Sequence, residues 1–83
     1  MEYEKFEWVL VTTQYGEFVD ITKHNTRADM IEDLSNVVMF CTVNLDAMYH
    51  RGRLLSESEI EPLRKEAFEN LGPIGKLKAL GKV

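Results

Sequence analysis

Between Thr26 and Gly52 the chain contains no glycine and no proline, so nothing in that stretch forces the backbone to turn. Placed on a helix at about 100° per residue, Met30, Ile31, Leu34, Val37, Val38, Cys41, Leu45, Met48 and Tyr49 fall in one stripe about 120° wide. Met39, Phe40, Val43 and Ala47 fall on roughly the opposite side. A chain of 83 residues has few other elements with which to cover both faces. Excess apolar surface of this kind points to a partner or to a second copy of the chain.

The ends of the stretch carry helix signals. Thr26 followed by Asp29 reads as an N-cap with an acid three residues on. Asp29, Glu32 and Asp33 complement the positive end of the helix dipole, His50 and Arg51 the negative end, and Gly52 is placed to stop the helix. The expectation is one long helix from Thr26 to Arg51. An alternative makes Val37–Val43, rich in β-branched and aromatic residues, a third strand after a helix Arg27–Ser35, in the order ββαβ. The continuous helix is preferred because Ser35-Asn36 would be the whole connection, without a turn-forming residue.

Phe6–Thr13 reads as a strand, broken by Gln14-Tyr15-Gly16, and Glu17–Thr22 resumes strand character. If Thr13 faces Glu17, then Val11 faces Val19 and Val9 faces Ile21, which places all four on one face. That is the expected core face. Trp8, Leu10, Thr12, Phe18, Asp20 and Thr22 make up the other, mixed face. Ser58, with Glu61 three residues on and Pro62 in the first turn, caps a last helix whose Ile60, Leu63, Ala67 and Leu71 share a face. Gly72-Pro73 ends it. The expected fold class is α+β: a two-stranded antiparallel hairpin packed on a long amphipathic helix, plus a shorter C-terminal helix, ββαα. Residues 1–75 form one small domain, and 76–83 a basic C-terminal tail that folding can spare.

The charge is uneven. All fourteen acidic side chains lie in residues 1–75, which carry a net −7, whereas 76–83 carry +3. An acidic body argues against nucleic acid as a partner, since phosphate binding needs clustered lysine and arginine. The longest apolar run, Val37–Cys41, is far too short for a membrane span. One cysteine cannot form an internal disulfide, and the chain opens without a signal-peptide pattern, so a cytoplasmic, soluble protein is expected.

No motif supports catalysis, a metal or a cofactor. Cys41 sits in the apolar stripe among Val37, Val38 and Leu45, and reads as a buried small hydrophobe. His24 and His50 lack second ligands at metal spacing. Glu57, Glu59, Glu61, Glu66 and Glu69 alternate with Arg64 and Lys65, as a solvated helix face does. His50, Arg51 and Arg53 around Gly52 are the candidate anion-binding cluster, for a small phosphate-bearing ligand such as a nucleotide.

Trp8, Leu10 and Phe18 on the mixed sheet face, with Met39, Phe40, Val43 and Ala47 on the second helix face, are the candidate protein interface. The function expected is non-enzymatic: a regulator that docks on a larger protein, as an inhibitor or adaptor in the style of phage-like accessory proteins, and that self-associates. Two other classes stand beside it. One is a homo-oligomer binding a small anion at subunit junctions; the other is a structural assembly subunit.

Overall fold

The computed structural model describes residues 2–82. The chain is α+β in the order ββαββαα. A 3₁₀ turn at Glu2–Lys5 precedes β1 (Trp8–Gln14) and β2 (Phe18–His24); α1 (Arg27–Met39), β3 (Val43–His50), β4 (Arg53–Leu54), α2 (Glu57–Glu69) and α3 (Pro73–Ala79) follow. The strands form one antiparallel sheet in the order β2-β1-β3-β4. Four strands and three helices thus replace the expected hairpin and two helices.

The long helix is the main correction. Thr26 caps α1 as expected, its hydroxyl accepting from Asp29 N at 3.1 Å. The helix nevertheless ends at Met39, and Phe40 turns to extended backbone, φ −102° and ψ 114°. Val43 N then donates to Phe40 O at 3.1 Å. Turning needed neither glycine nor proline, because Val43-Asn44-Leu45-Asp46-Ala47 alternates apolar and polar and gains a ladder against β1 interrupted only at Asp46. Of the two sequence readings, the rival has the right order for the first four elements, although its helix stops too early, its strand lies too far upstream, and it lacks β4. Cys41, in the turn between α1 and β3, is exposed.

Strand register also differs from expectation. Val11 pairs with Ile21 and Thr13 with Val19, two residues along from the expected partners. Tyr15 and Gly16 both take left-handed backbone, φ 56° and 68°, and Glu17 N donates to Gln14 O at 3.1 Å. These are the φ signs of a type I′ turn, whose twist suits a hairpin. Asp46 is an extra residue of β3 between the Val11–Ala47 and Thr12–Leu45 pairs, a β-bulge. It hydrogen-bonds the Thr13 hydroxyl.

The facing of the hairpin is inverted. Trp8 and Leu10, not the valine row, form the core with Met30, Ile31, Leu34, Met48, Leu55, Ile60 and Ala67. The Trp8 ring stacks on the His50 imidazole, centroids 3.9 Å apart. Val19 is 67% exposed and Ile21 43%. Val9 alone of the expected core row is fully buried, outside the Trp8–Leu10 cluster. Near it the N-terminal segment sets Tyr3 against Tyr49 (4.9 Å between centroids) and Phe6 beneath the Lys23 ammonium (5.2 Å). Lys23 and Tyr49 are the two cross-strand neighbours of Val9.

α2 begins one turn-signal earlier than expected. Ser56, not Ser58, is the N-cap, and its capping box is closed by Glu59: Ser56 N donates to Oε1 at 3.0 Å and Glu59 N to Oγ at 3.3 Å. Pro62 consequently sits inside the helix rather than in its first turn. Ser35, buried on α1, joins the two helices. Its hydroxyl lies 2.7 Å from Ile31 O and 3.1 Å from Ala67 O, and Asn70 Nδ2 donates to it at 3.3 Å. α3 takes in the start of the expected tail: Lys76 pairs with Glu69 at 3.0 Å, and a Cβ at Gly75 would lie 3.5 Å from Met39 Sδ. No helix is long and apolar enough to cross a membrane among the described residues.

Candidate docking groove beside strand β2

The inverted facing leaves polar residues of β2 on the helix side of the sheet. Thr22 opposes Leu10, His24 opposes Trp8, and Asp20 opposes Thr12, so alternation aims all three side chains toward α1. On α1, Asp29, Glu32, Asp33 and Asn36 recur at helical spacing along the side facing them. Asp33 joins the two elements: Thr22 Oγ1 donates to its Oδ2 at 2.5 Å, and His24 Nε2 lies 2.8 Å from the same oxygen.

Around this contact the surface is hollowed in two adjoining chambers that share Thr22, Asp33 and Asn36. The outer, about 310 Å³, is completed by His24, Asp29 and Glu32. The inner, about 160 Å³, runs toward the sheet between Thr12, Gln14 and Asp20, with Val37, Phe40 and Val43 as its apolar wall. Thr22 and His24 address one oxygen of Asp33. They therefore do not form the hydroxyl–imidazole–carboxylate chain in which an imidazole activates a nucleophile. Chemically the site is a carboxylate held through one oxygen at the wall of the groove. No group of three or more histidine, cysteine, aspartate or glutamate side chains is placed to hold a metal ion among the described residues.

The sequence-predicted interface residues do not form one surface. Trp8 and Leu10 are core, unavailable to a partner without unfolding. Phe40 and Val43 meet in the inner chamber, and Phe18 is exposed at the end of β2 across the sheet from Gln14 and Val43. Met39 lies beside α3. Ala47, half-buried, opposes Val11 on the far face of the sheet.

The candidate anion cluster is brought together and already neutralised. Arg51 and Gly52, φ 53° and 80°, form the tight turn between β3 and β4, not a helix cap. Arg51 Nε donates to Glu7 Oε1 at 2.9 Å, with His50 Nε2 3.1 Å from the same oxygen. Those hydrogen bonds, His50 first, hold the Glu7 carboxyl below the usual range. Arg53 forks onto Glu59 at 3.1 and 2.7 Å. The fork and the Ser56 amide lower the Glu59 pKa from 4.5 to about 2. A carboxylate depressed on folding stabilises the fold above its unfolded pKa, and the effect fades as pH falls through the folded value. The difference in unfolding midpoint between wild type and Glu59→Gln is therefore expected to be fully present above pH 4.5 and to close toward about pH 2. A difference independent of pH across that window would show that Glu59 acts through packing alone.

Sequence reasoning missed Thr12, Thr22, His24 and Asp33. Their signal was present as two periodicities. Asp20, Thr22 and His24 alternate on one strand face, and Asp29, Glu32, Asp33 and Asn36 follow one helix face.

No family model, curated protein or solved structure matches this chain. Its function is read from geometry.

Proposed function

We propose that this chain is a small non-enzymatic protein-binding module that regulates a larger protein by docking on it, with the β2 edge and its groove as the docking surface. The observation that carries the reading is the outer side of β2. This seven-residue strand ends the sheet and has no strand beside it among the described residues. A sheet edge is a template for an added strand, and a flanking groove gives such a strand its side-chain specificity; on β2 the Ile21 amide already donates to Asp20 Oδ1 at 3.0 Å, a contact that an added strand would displace. Phe18, at the start of β2, and Val19, beside it on the opposite face, add apolar contact at one end of the edge. The anion-binding alternative has less support, because Arg51 and Arg53 already hold carboxylates.

Affinity capture should be run with the wild type and with the paired variant Phe18→Asp/Val19→Lys, both positions exposed. The captured protein is then purified and its binding measured directly. The variant is expected to keep its unfolding midpoint and lose binding, and the partner to slow amide exchange along β2 in the wild type. Equal binding by both chains, or protection confined to another surface, overturns the reading. Self-association is read on the same samples by sedimentation. A wild-type dimer that the paired variant abolishes would make a second copy of the chain the occupant of this edge.

A further inference from the structure

We infer that the groove between α1 and β2 receives the cationic side chain, guanidinium or ammonium, of an extended segment of the partner protein; this rests on the docking reading above and names what it recognises. The first ground is charge. Asp20, Asp29, Glu32 and Asp33 line the two chambers, and no lysine or arginine does. Outside the groove several acids pair with a lysine or arginine: Glu7 with Arg51, Glu57 and Glu61 with Arg64, Glu59 with Arg53, Glu66 with Arg27 and Glu69 with Lys76. In the groove Asp33 has His24 beside it, while Asp20, Asp29 and Glu32 form no ion pair with a lysine or arginine among the described residues.

The second ground is an unpartnered hydroxyl. Thr12 is 9% exposed and its side chain lines the inner chamber, yet its hydroxyl makes no hydrogen bond to another side chain or to the backbone among the described residues. Beside it, Asp33 is fixed through Oδ2 by Thr22 and His24, which leaves Oδ1 free to accept. A hydroxyl of a largely buried residue that opens into the chamber, with a carboxylate lining the same chamber, suits a group that brings several N–H donors.

Shape narrows the ligand further. The inner chamber, about 160 Å³, is below the range of roughly 300–1,000 Å³ typical of small-molecule sites, so it suits one side chain. Val37, Phe40 and Val43 offer an apolar wall for an aliphatic stem, and the Phe40 ring a face for a cation. A segment paired with β2 alternates its side chains between the two faces of the sheet. The expected recognition pattern is therefore a basic residue toward the groove flanked by apolar residues toward Ile21 and Val19.

The test uses an acetylated, amidated Val-Arg-Val-Arg-Val peptide and its twin with citrulline in place of arginine, titrated into the full chain and followed by backbone amide shifts. Saturable shifts at Thr12, Thr22, Asp33 and Asn36 are expected with arginine. Citrulline should bind roughly tenfold more weakly, the factor for losing a charge-assisted hydrogen bond. Asp33→Asn should weaken the arginine peptide similarly; because it also alters the Thr22 and His24 contacts, the exposed Glu32→Lys supplies a second, structurally neutral variant with the same expected loss. Equal binding of the two peptides, shifts clustered outside the groove, or indifference to Glu32→Lys overturns the inference. If the partner still binds through β2 while the arginine peptide does not, the groove inference falls and the docking reading stands. If the peptide binds while no partner depends on β2, the reverse holds.

Discussion

Replacing Leu10 with alanine is expected to destabilise the chain by about 2–5 kcal/mol, the range for removing a buried leucine side chain and leaving its space unfilled. Trp8→Ala should cost about 3–5 kcal/mol, because the ring is part of the core and stacks on His50. Val19→Ala, on the opposite face and 67% exposed, should stay within about 0.5 kcal/mol of wild type. A domain of this size holds roughly 5–15 kcal/mol in total, so either core variant approaches the unfolding threshold and the surface variant does not. Urea denaturation of the three chains reads all of these at once. A larger loss for Val19→Ala than for Leu10→Ala would mean that the helices cover the valine face.

The reason that face misleads in the sequence is physical. Val9, Val11, Val19 and Ile21 make the more uniformly apolar side of the hairpin, and uniform apolarity is the ordinary mark of a core. Here the buried side carries the larger residues Trp8 and Leu10 together with Thr12, Thr22 and His24. Those polar groups are tolerated because Asp33 of α1 meets Thr22 and His24 at hydrogen-bond distance, while Thr12 opens into the groove. Such compensation is a tertiary contact between residues nine and eleven positions apart, invisible to a strand read by itself.

Several caps and turns were legible because they depend on neighbours in sequence, although Ser56 rather than Ser58 caps α2 and Gly52 turns between strands instead of ending a helix. Thr26 caps α1, Gly16 is left-handed, and Gly72-Pro73 separates the last two helices. The boundary at Met39 was not, since residues 30–49 satisfy a helical stripe nearly as well as a helix followed by a strand. What decides between them is the open edge of β1, which β3 fills. The groove was missed for a related reason: its two halves lie on elements whose mutual orientation only the correct facing supplies.

Gly52→Ala carries the other large expected effect. Gly52 has φ 80°, and a Cβ there would stand 2.9 Å from Glu4 Cβ and 3.2 Å from Glu4 Cα. The latter is backbone, so no rotamer change relieves it. Gly16 supplies the control: its φ is 68°, and a Cβ there meets nothing within 4 Å. Gly16→Ala should therefore cost only the left-handed backbone strain, roughly 1–2 kcal/mol. Gly52→Ala should cost that and, in addition, the displacement of the N-terminal turn, whose Tyr3 packs on Tyr49, about 1–3 kcal/mol more on the scale of other local packing losses. A double-mutant cycle separates the two parts. In a chain lacking residues 1–5 the excess cost of Gly52→Ala over Gly16→Ala should vanish, because Glu4 is gone. An equal cost for the two substitutions in the full chain, or an excess that survives the truncation, would show that the N-terminal turn does not bear on Gly52.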